Sequence, residues 1–260
     1  VYVGEAVSVR YILLGPRGVI QQITSFGNLG PGLFKRCVAE EVDLGKLRLD
    51  RRNIGGNLVD VVVLKHYFLF PLSAGYIEVD PVTVSVEALV ARRGRSPFDF
   101  SPFLQRMMSV SVQSDPIRIE VVPLPDVGKP EDFDGAVGQF RLRAEVDKRD
   151  LREGDALSLQ VILTGTGNIR NCPPPTLPDL SAFDQYESTK NEEISVTRDG
   201  ISGRITYDYV LIPKTVSSKE IGPVRFSFFN PDEERYETIS TQPIQLTIAP
   251  REAPSGDRVY

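Results

Sequence analysis

From Tyr67 the chain reads Tyr-Phe-Leu-Phe-Pro-Leu-Ser-Ala-Gly-Tyr-Ile-Glu-Val-Asp-Pro-Val-Thr-Val-Ser-Val. From Tyr209 it reads Tyr-Val-Leu-Ile-Pro-Lys-Thr-Val-Ser-Ser-Lys-Glu-Ile-Gly-Pro-Val-Arg-Phe-Ser-Phe. The two stretches align without a gap. Each has an apolar run closed by a proline (Pro71, Pro213), a polar corner, and a second proline (Pro81, Pro223) that opens an alternating run. Alternation places every second side chain on one face of a strand. A proline fits at the start of a strand because it has no N–H to give to the ladder. Each copy therefore reads as a strand, a corner and a further strand.

Two more echoes flank this block. Gly4-Glu5-Ala6-Val7-Ser8-Val9 matches Gly154-Asp155-Ala156-Leu157-Ser158-Leu159, and Asp115-Pro116-Ile117-Arg118-Ile119 matches Gln242-Pro243-Ile244-Gln245-Leu246. Three blocks in one order, about 130 to 150 residues apart, repeat at the size of a domain rather than of a solenoid unit. The expected fold is all-β, two tandem immunoglobulin-like β-sandwich domains, because turn signals recur throughout and no helical periodicity persists.

The expected boundaries are a first domain at 1–123, a linker at 124–135, a second domain at 136–250 and a tail at 251–260. Pro123-Leu124-Pro125 and Gly128-Lys129-Pro130 suit an extended, fairly stiff connection. The chain opens at Val1-Tyr2-Val3-Gly4 inside a strand pattern. It is read as a fragment whose first strand is clipped, with any targeting segment lying outside it.

With 260 residues, 41% hydrophobic and 25% charged, the chain has enough apolar content for two ordinary cores. A net charge of −5 lacks the basic excess of a nucleic-acid surface. Asp60 and Lys65-His66 interrupt the most apolar run, so no membrane span is expected within these residues. Cys37 and Cys172 fall in different copies and do not suggest a bridge.

No pattern for catalysis stands out. His66, the single histidine, sits in an apolar run with no nucleophile or orienting partner nearby in sequence. No cysteine or histidine pair has metal-ligand spacing, and no glycine loop is built to cradle phosphate. Asp126, Glu131, Asp132 and Asp134 lack the spacing of a calcium loop. Catalytic, cofactor and metal residues are therefore expected to be none.

The copies differ at one connection. From Pro81 to Pro116 the first copy is about 15 residues longer than the second is from Pro223 to Pro243. The surplus lies at about 91–109 and concentrates Phe98, Phe100, Phe103, Leu104 and Met107 beside Arg92, Arg93 and Arg95. Three fates are open: the segment folds back on its own domain, inserts at a membrane surface, or docks on a partner. In the docking case the aromatic and Met side chains are anchors and Arg forms a polar rim.

Several stretches together carry a family resemblance. They are Val-Tyr-Val-Gly-Glu at 1–5, the block from Tyr67 to Pro81, Arg92-Arg93 leading to Pro97-Phe98, Gly135 to Phe140, Leu163 to Asn168 before Pro-Pro-Pro, and Tyr209 to Pro213. The chain resembles the BatD-type oxygen-tolerance (aerotolerance) proteins of bacteria. The resemblance implies the periplasmic region of a protein anchored in the membrane outside this fragment. It also implies association with membrane proteins carrying von Willebrand A domains and, indirectly, with a MoxR-type ATPase. The motifs are structural, so no catalytic residues come with it. The expected function is a non-enzymatic interaction module of an oxygen-tolerance or envelope-stress complex. The alternative is a ligand-binding module for envelope polysaccharide or peptide, for which the absence of Trp is unfavourable.

Overall fold

The computed structural model describes residues 1–26, 34–91, 105–186, 189–217 and 219–251. The chain divides into two compact units: Val1–Pro123 with Val196–Gly200, and Leu124–Ser195 with Ile201–Tyr260. The architecture is all-β; among the described residues the only helical element is one 3₁₀ turn at Ile169–Asn171.

Unit 1 contains β1 (Val7–Pro16), β2 (Ile20–Phe26), β3 (Cys37–Glu41), β4 (Leu49–Ile54), β5 (Asn57–Pro71), β6 (Gly75–Val79), β7 (Thr83–Ala91), β8 (Gln105–Gln113) and β9 (Ile117–Val121). One sheet runs β1-β5-β3, with β4 also on β5; a second runs β2-β7-β8; β6 pairs with β9. The most apolar run forms β5, which is buried along most of its length, as a strand covered on both faces is. Leu13, Val62 and Leu64 from the first sheet meet Ile20, Val84 and Val86 from the second. Val9, Tyr67 and Leu69 pack with Phe34 and Val79 to continue that core.

Unit 2 contains β10 (Gly138–Val146), β11 (Asp150–Arg152), β12 (Leu157–Gly167), β13 (Phe183–Gln185), β14 (Thr189–Val196), β15 (Ile201–Pro213), β16 (Lys219–Ile221), β17 (Arg225–Asn230), β18 (Arg235–Ser240) and β19 (Ile244–Ala249). Its main sheet runs β10-β12-β15-β13, with β14 on β15; β11-β19-β16 and β17-β18 form the others. Phe140 of β10 lies edge-on to Phe226 and Phe228 of β17, with ring centroids 5.3 and 5.2 Å away. Edge-to-face rings gain quadrupole attraction beyond their burial.

The two units share their strand registers. Val7 and Val9 face Leu69 and Tyr67, as Leu157 and Leu159 face Leu211 and Tyr209. Ile77 and Val79 face Ile119 and Ile117, as Lys219 and Ile221 face Leu246 and Ile244. Val84 faces Val112, as Phe226 faces Ile239. Smaller devices recur as well. The Tyr2 N–H donates to Glu5 Oε2 at 2.7 Å, and the Arg152 N–H to Asp155 Oδ2 at 2.9 Å. Gly4 and Gly154 both take φ 81°, a left-handed conformation that glycine adopts without Cβ strain.

Val9, Leu157, Leu159, Leu211, Phe226, Leu246 and Ile248 are buried and Val7 is half-buried, on alternate positions of their strands. The segment 124–135, expected as a linker, falls within unit 2 and is tied to it. Tyr236 Oη donates to the Pro125 carbonyl at 2.8 Å, Phe133 stacks edge-on to Tyr236, and Ser227 Oγ donates to Asp132 at 2.6 Å.

Candidate functional site

Against the shared register, unit 1 departs from unit 2 at the β7–β8 hairpin, and this departure builds the candidate site. The hairpin's pairs from Thr83↔Gln113 to Ala88↔Met108 correspond to Arg225↔Ser240 through Asn230↔Arg235. Unit 2 then closes with a polar tip at 231–234, where Glu234 is left-handed and Asn230 Nδ2 donates to Glu237 Oε1 at 2.8 Å. Unit 1 instead adds Leu89↔Met107, Val90↔Arg106 and Ala91↔Gln105 before leaving the described residues.

Of the expected docking residues, Met107 lies on β8 and is 53% exposed. Arg92, Arg93, Arg95, Phe98, Phe100, Phe103 and Leu104 lie outside the described residues. What the structure does define is the stem: an in-register hairpin that runs past its counterpart and carries exposed methionines at 107 and 108.

A groove of about 380 Å³ runs along β1, lined by Val9, Tyr11 and Leu13 of that strand and by Val84 and Val112 of the β7–β8 hairpin. Val112 is 40% exposed, and its neighbour along the row, Val110, is half-buried. Asp80 and Asp115 stand at the same groove. The Tyr11 hydroxyl is buried with no hydrogen-bond partner among the described residues, and burial together with nearby Asp80 raises its pKa.

Sequence spacing missed one pairing. Ser8 Oγ lies 2.9 Å from His66 Nε2, so a serine hydroxyl does sit beside the imidazole although the two are 58 positions apart in sequence. The register explains it: Arg10 faces His66 and Ser8 faces Phe68, which makes Ser8 and His66 diagonal neighbours on one face. Burial and the Arg10 charge lower the His66 pKa, favouring the neutral ring. Neither residue lines a groove described here, and His66 is 1% exposed. The geometry is that of a satisfied core histidine.

Other reactive groups are equally enclosed. Cys172 is buried, accepted by Asn168 Oδ1 at 3.4 Å, and burial pushes its thiol up to about 12. Such a thiol is a poor nucleophile. Among the described residues no group of three His, Cys, Asp or Glu could hold a metal ion. Asp132 of the acidic stretch is engaged by Ser227 and lies 3.9 Å from Arg225. Unit 2 has a polar trough lined by Arg141, Arg204, Glu193 and Glu237, beside which Phe140 and Phe228 are buried. It therefore offers charge but no aromatic platform. No helix among the described residues is long and apolar enough to cross a membrane.

Residues 144–248 match the family model described as a BatD DUF11 like domain, which spans unit 2 from within β10 to within β19. No curated protein matches the chain.

Proposed function

From the match of residues 144–248 to the BatD family model, we propose that the chain is a non-enzymatic interaction module of a bacterial oxygen-tolerance or envelope-stress complex. It stands at the periplasmic face of a membrane and assembles with membrane proteins carrying von Willebrand A domains, and through them with a MoxR-type ATPase. The observation that carries this reading is where the two copies diverge. They agree strand by strand in the ladders that build their cores. They differ at a hairpin where Met108, Val110 and Val112 of unit 1 stand in the places of Arg235, Glu237 and Ile239. Closure of the fold does not need the surplus, since unit 2 closes the same hairpin with four residues. Lengthening a loop costs little, but exposing apolar side chains at its stem is unfavourable unless they meet another surface.

The test is an exchange. Residues 89–107 are replaced by Pro-Asp-Glu-Glu, the tip at 231–234, and the protein is co-purified from bacterial membranes with mass-spectrometric identification of what accompanies it. The reading expects an unchanged melting temperature and loss of the von Willebrand A proteins. Retention of those proteins by the exchanged variant would overturn it.

The second reading, a ligand-binding module for envelope polysaccharide or peptide, is favoured in its peptide form by the apolar groove beside β1. The unit 2 trough lacks the exposed aromatic face that sugar binding uses.

A further inference from the structure

We propose that the β4–β5 hairpin is a membrane-contact arm: its tip enters the interfacial layer of a bilayer that carries anionic headgroups, and the basic residues beside it meet those headgroups. The inference rests on the reading that the chain stands at a membrane face, and it assigns one surface of unit 1 to the lipid itself.

The hairpin outruns the sheet it belongs to. The last pair between β1 and β5 is Pro16↔Val59, whereas β4 and β5 continue through Asn53↔Leu58 to Ile54↔Asn57. Gly55 and Gly56 close the turn with φ of 58° and 84°, the left-handed pair that a tight two-residue hairpin needs. The base of the hairpin is pinned. The Gly18 N–H donates to Oδ2 of buried Asp60 at 2.6 Å, and Arg51 Nε lies 3.5 Å from Asp60 Oδ1. A projecting tip is thus held on a fixed stem.

Its composition suits an interface between water and hydrocarbon. Ile54 and Leu58 flank the turn and are 50% and 52% exposed, and Leu47 and Leu49 are exposed at the start of the arm. Lys46, Arg48, Arg51 and Arg52 stand among them against one acidic residue, Asp50, in a chain whose net charge is −5. Among the described residues the side chains of Lys46, Arg48 and Arg52 make no ion pair or hydrogen bond. Exposed aliphatic groups are unfavourable in water and favourable at the acyl boundary. Long basic side chains reach past them to the headgroups, and each strengthens attraction to an anionic surface. An uncharged apolar partner would leave two guanidinium groups and an ammonium without counter-charge. An anionic bilayer offers headgroups and hydrocarbon together.

The fold does not require this composition. In unit 2 the β14–β15 hairpin holds the corresponding place in the strand order. There Ile194 and Val196 are half-buried, Ile201 is buried, and Glu192 and Glu193 accompany Lys190. The exposure of the arm does not come from a strand missing ahead of β1 either. In unit 2 the preceding strand β10 lies on β12, and β14 lies across the sheet on β15. By that order a strand ahead of β1 stands at the opposite edge from β4.

The experiment sediments the whole protein with vesicles of phosphatidylcholine alone, and with vesicles containing about one-third phosphatidylglycerol. The expected result is binding to the anionic vesicles only, released by salt. Arg48→Glu with Arg52→Glu should weaken it at least about tenfold, and so should Ile54→Asp with Leu58→Asp. All these side chains are exposed, so both variants keep the native melting temperature, which a parallel melt verifies. Equal binding to both kinds of vesicle, binding to neither, or binding indifferent to both variants would overturn the proposal. So would amide protection of the arm by a co-purified protein and none by vesicles, because the occupant would then be an acidic protein surface. The exchange at 89–107 leaves this arm intact, so failure of the parent reading and failure of this proposal are read separately.

Discussion

Ser114 and Val82 exchange two hydrogen bonds: the Val82 N–H donates to Ser114 Oγ at 2.9 Å, and the Ser114 N–H donates to the Val82 carbonyl at 2.9 Å. Thr241 and Val224 do the same in unit 2, at 3.1 and 3.0 Å. Each clasp ties the residue after a proline to the residue two before another proline. It also satisfies the N–H of a buried valine where the ladder begins.

Removing either hydroxyl should therefore have matched effects. Ser114→Ala and Thr241→Val each leave a buried N–H without a partner, at a cost of about 1–3 kcal/mol. Hydrogen exchange read strand by strand should show the loss in β7–β8 for the first and in β17–β18 for the second. An effect from one substitution and none from the other would contradict the equivalence of the two clasps.

Gly165 of β12 and Gly15 of β1 align in the repeated sequence, 150 positions apart, but have different neighbours. A methyl at Gly165 would stand 2.4 Å from the Gln139 carbonyl oxygen and 2.5 Å from the Phe140 ring, forcing β10 away from Phe226 and Phe228. A methyl at Gly15 would meet only the Ile20 side chain. Gly165→Ala should cost roughly 1–3 kcal/mol by overpacking, and Gly15→Ala distinctly less. Phe226→Ala, which removes the ring from that contact, should cost about 3–5 kcal/mol. Urea titrations of the three variants check this order, and equal values for the two glycine changes would refute it.

His66 gives the protein an acid-sensitive stability. Its folded pKa lies below the ordinary imidazole value of 6.5, with burial the first cause and Arg10 the second. The unfolded chain therefore takes up a proton that the folded chain refuses. Stability is fully present above the unfolded pKa and falls as pH drops below 6.5 towards the lowered folded value, by at most about 1.4 kcal/mol per pH unit. Because the chain has one histidine, His66→Gln should flatten the slope of unfolding free energy between pH 7 and pH 6. A slope that survives the substitution would show that another group is responsible.

Sequence pattern revealed the core ladders because each depends on alternation within one strand. The blocks from Tyr67 and Tyr209, and the echoes at Gly4 and Pro116, correspond to β1, β5, β6, β7 and β9 and their unit 2 counterparts. The strand at Leu49–Ile54 carries no such alternation, for a physical reason. β4 is Leu-Asp-Arg-Arg-Asn-Ile, exposed throughout, and it is a strand because β5 offers it a ladder rather than because of its own composition. The attachment of residues 124–135 to unit 2 was hidden because the bond from Tyr236 to Pro125 spans 111 positions. The surplus at about 91–109 was legible as a difference in length between the copies.

The central claim is that function resides where unit 1 departs from unit 2. Hydrogen exchange of the whole protein, alone and in complex with the membrane proteins that co-purify with it, tests this most directly. The account predicts added protection in β7–β8, with β17–β18 and the trough at Arg141 and Arg204 unchanged. Protection centred on that trough or on β17–β18, with β7–β8 unaffected, would contradict it.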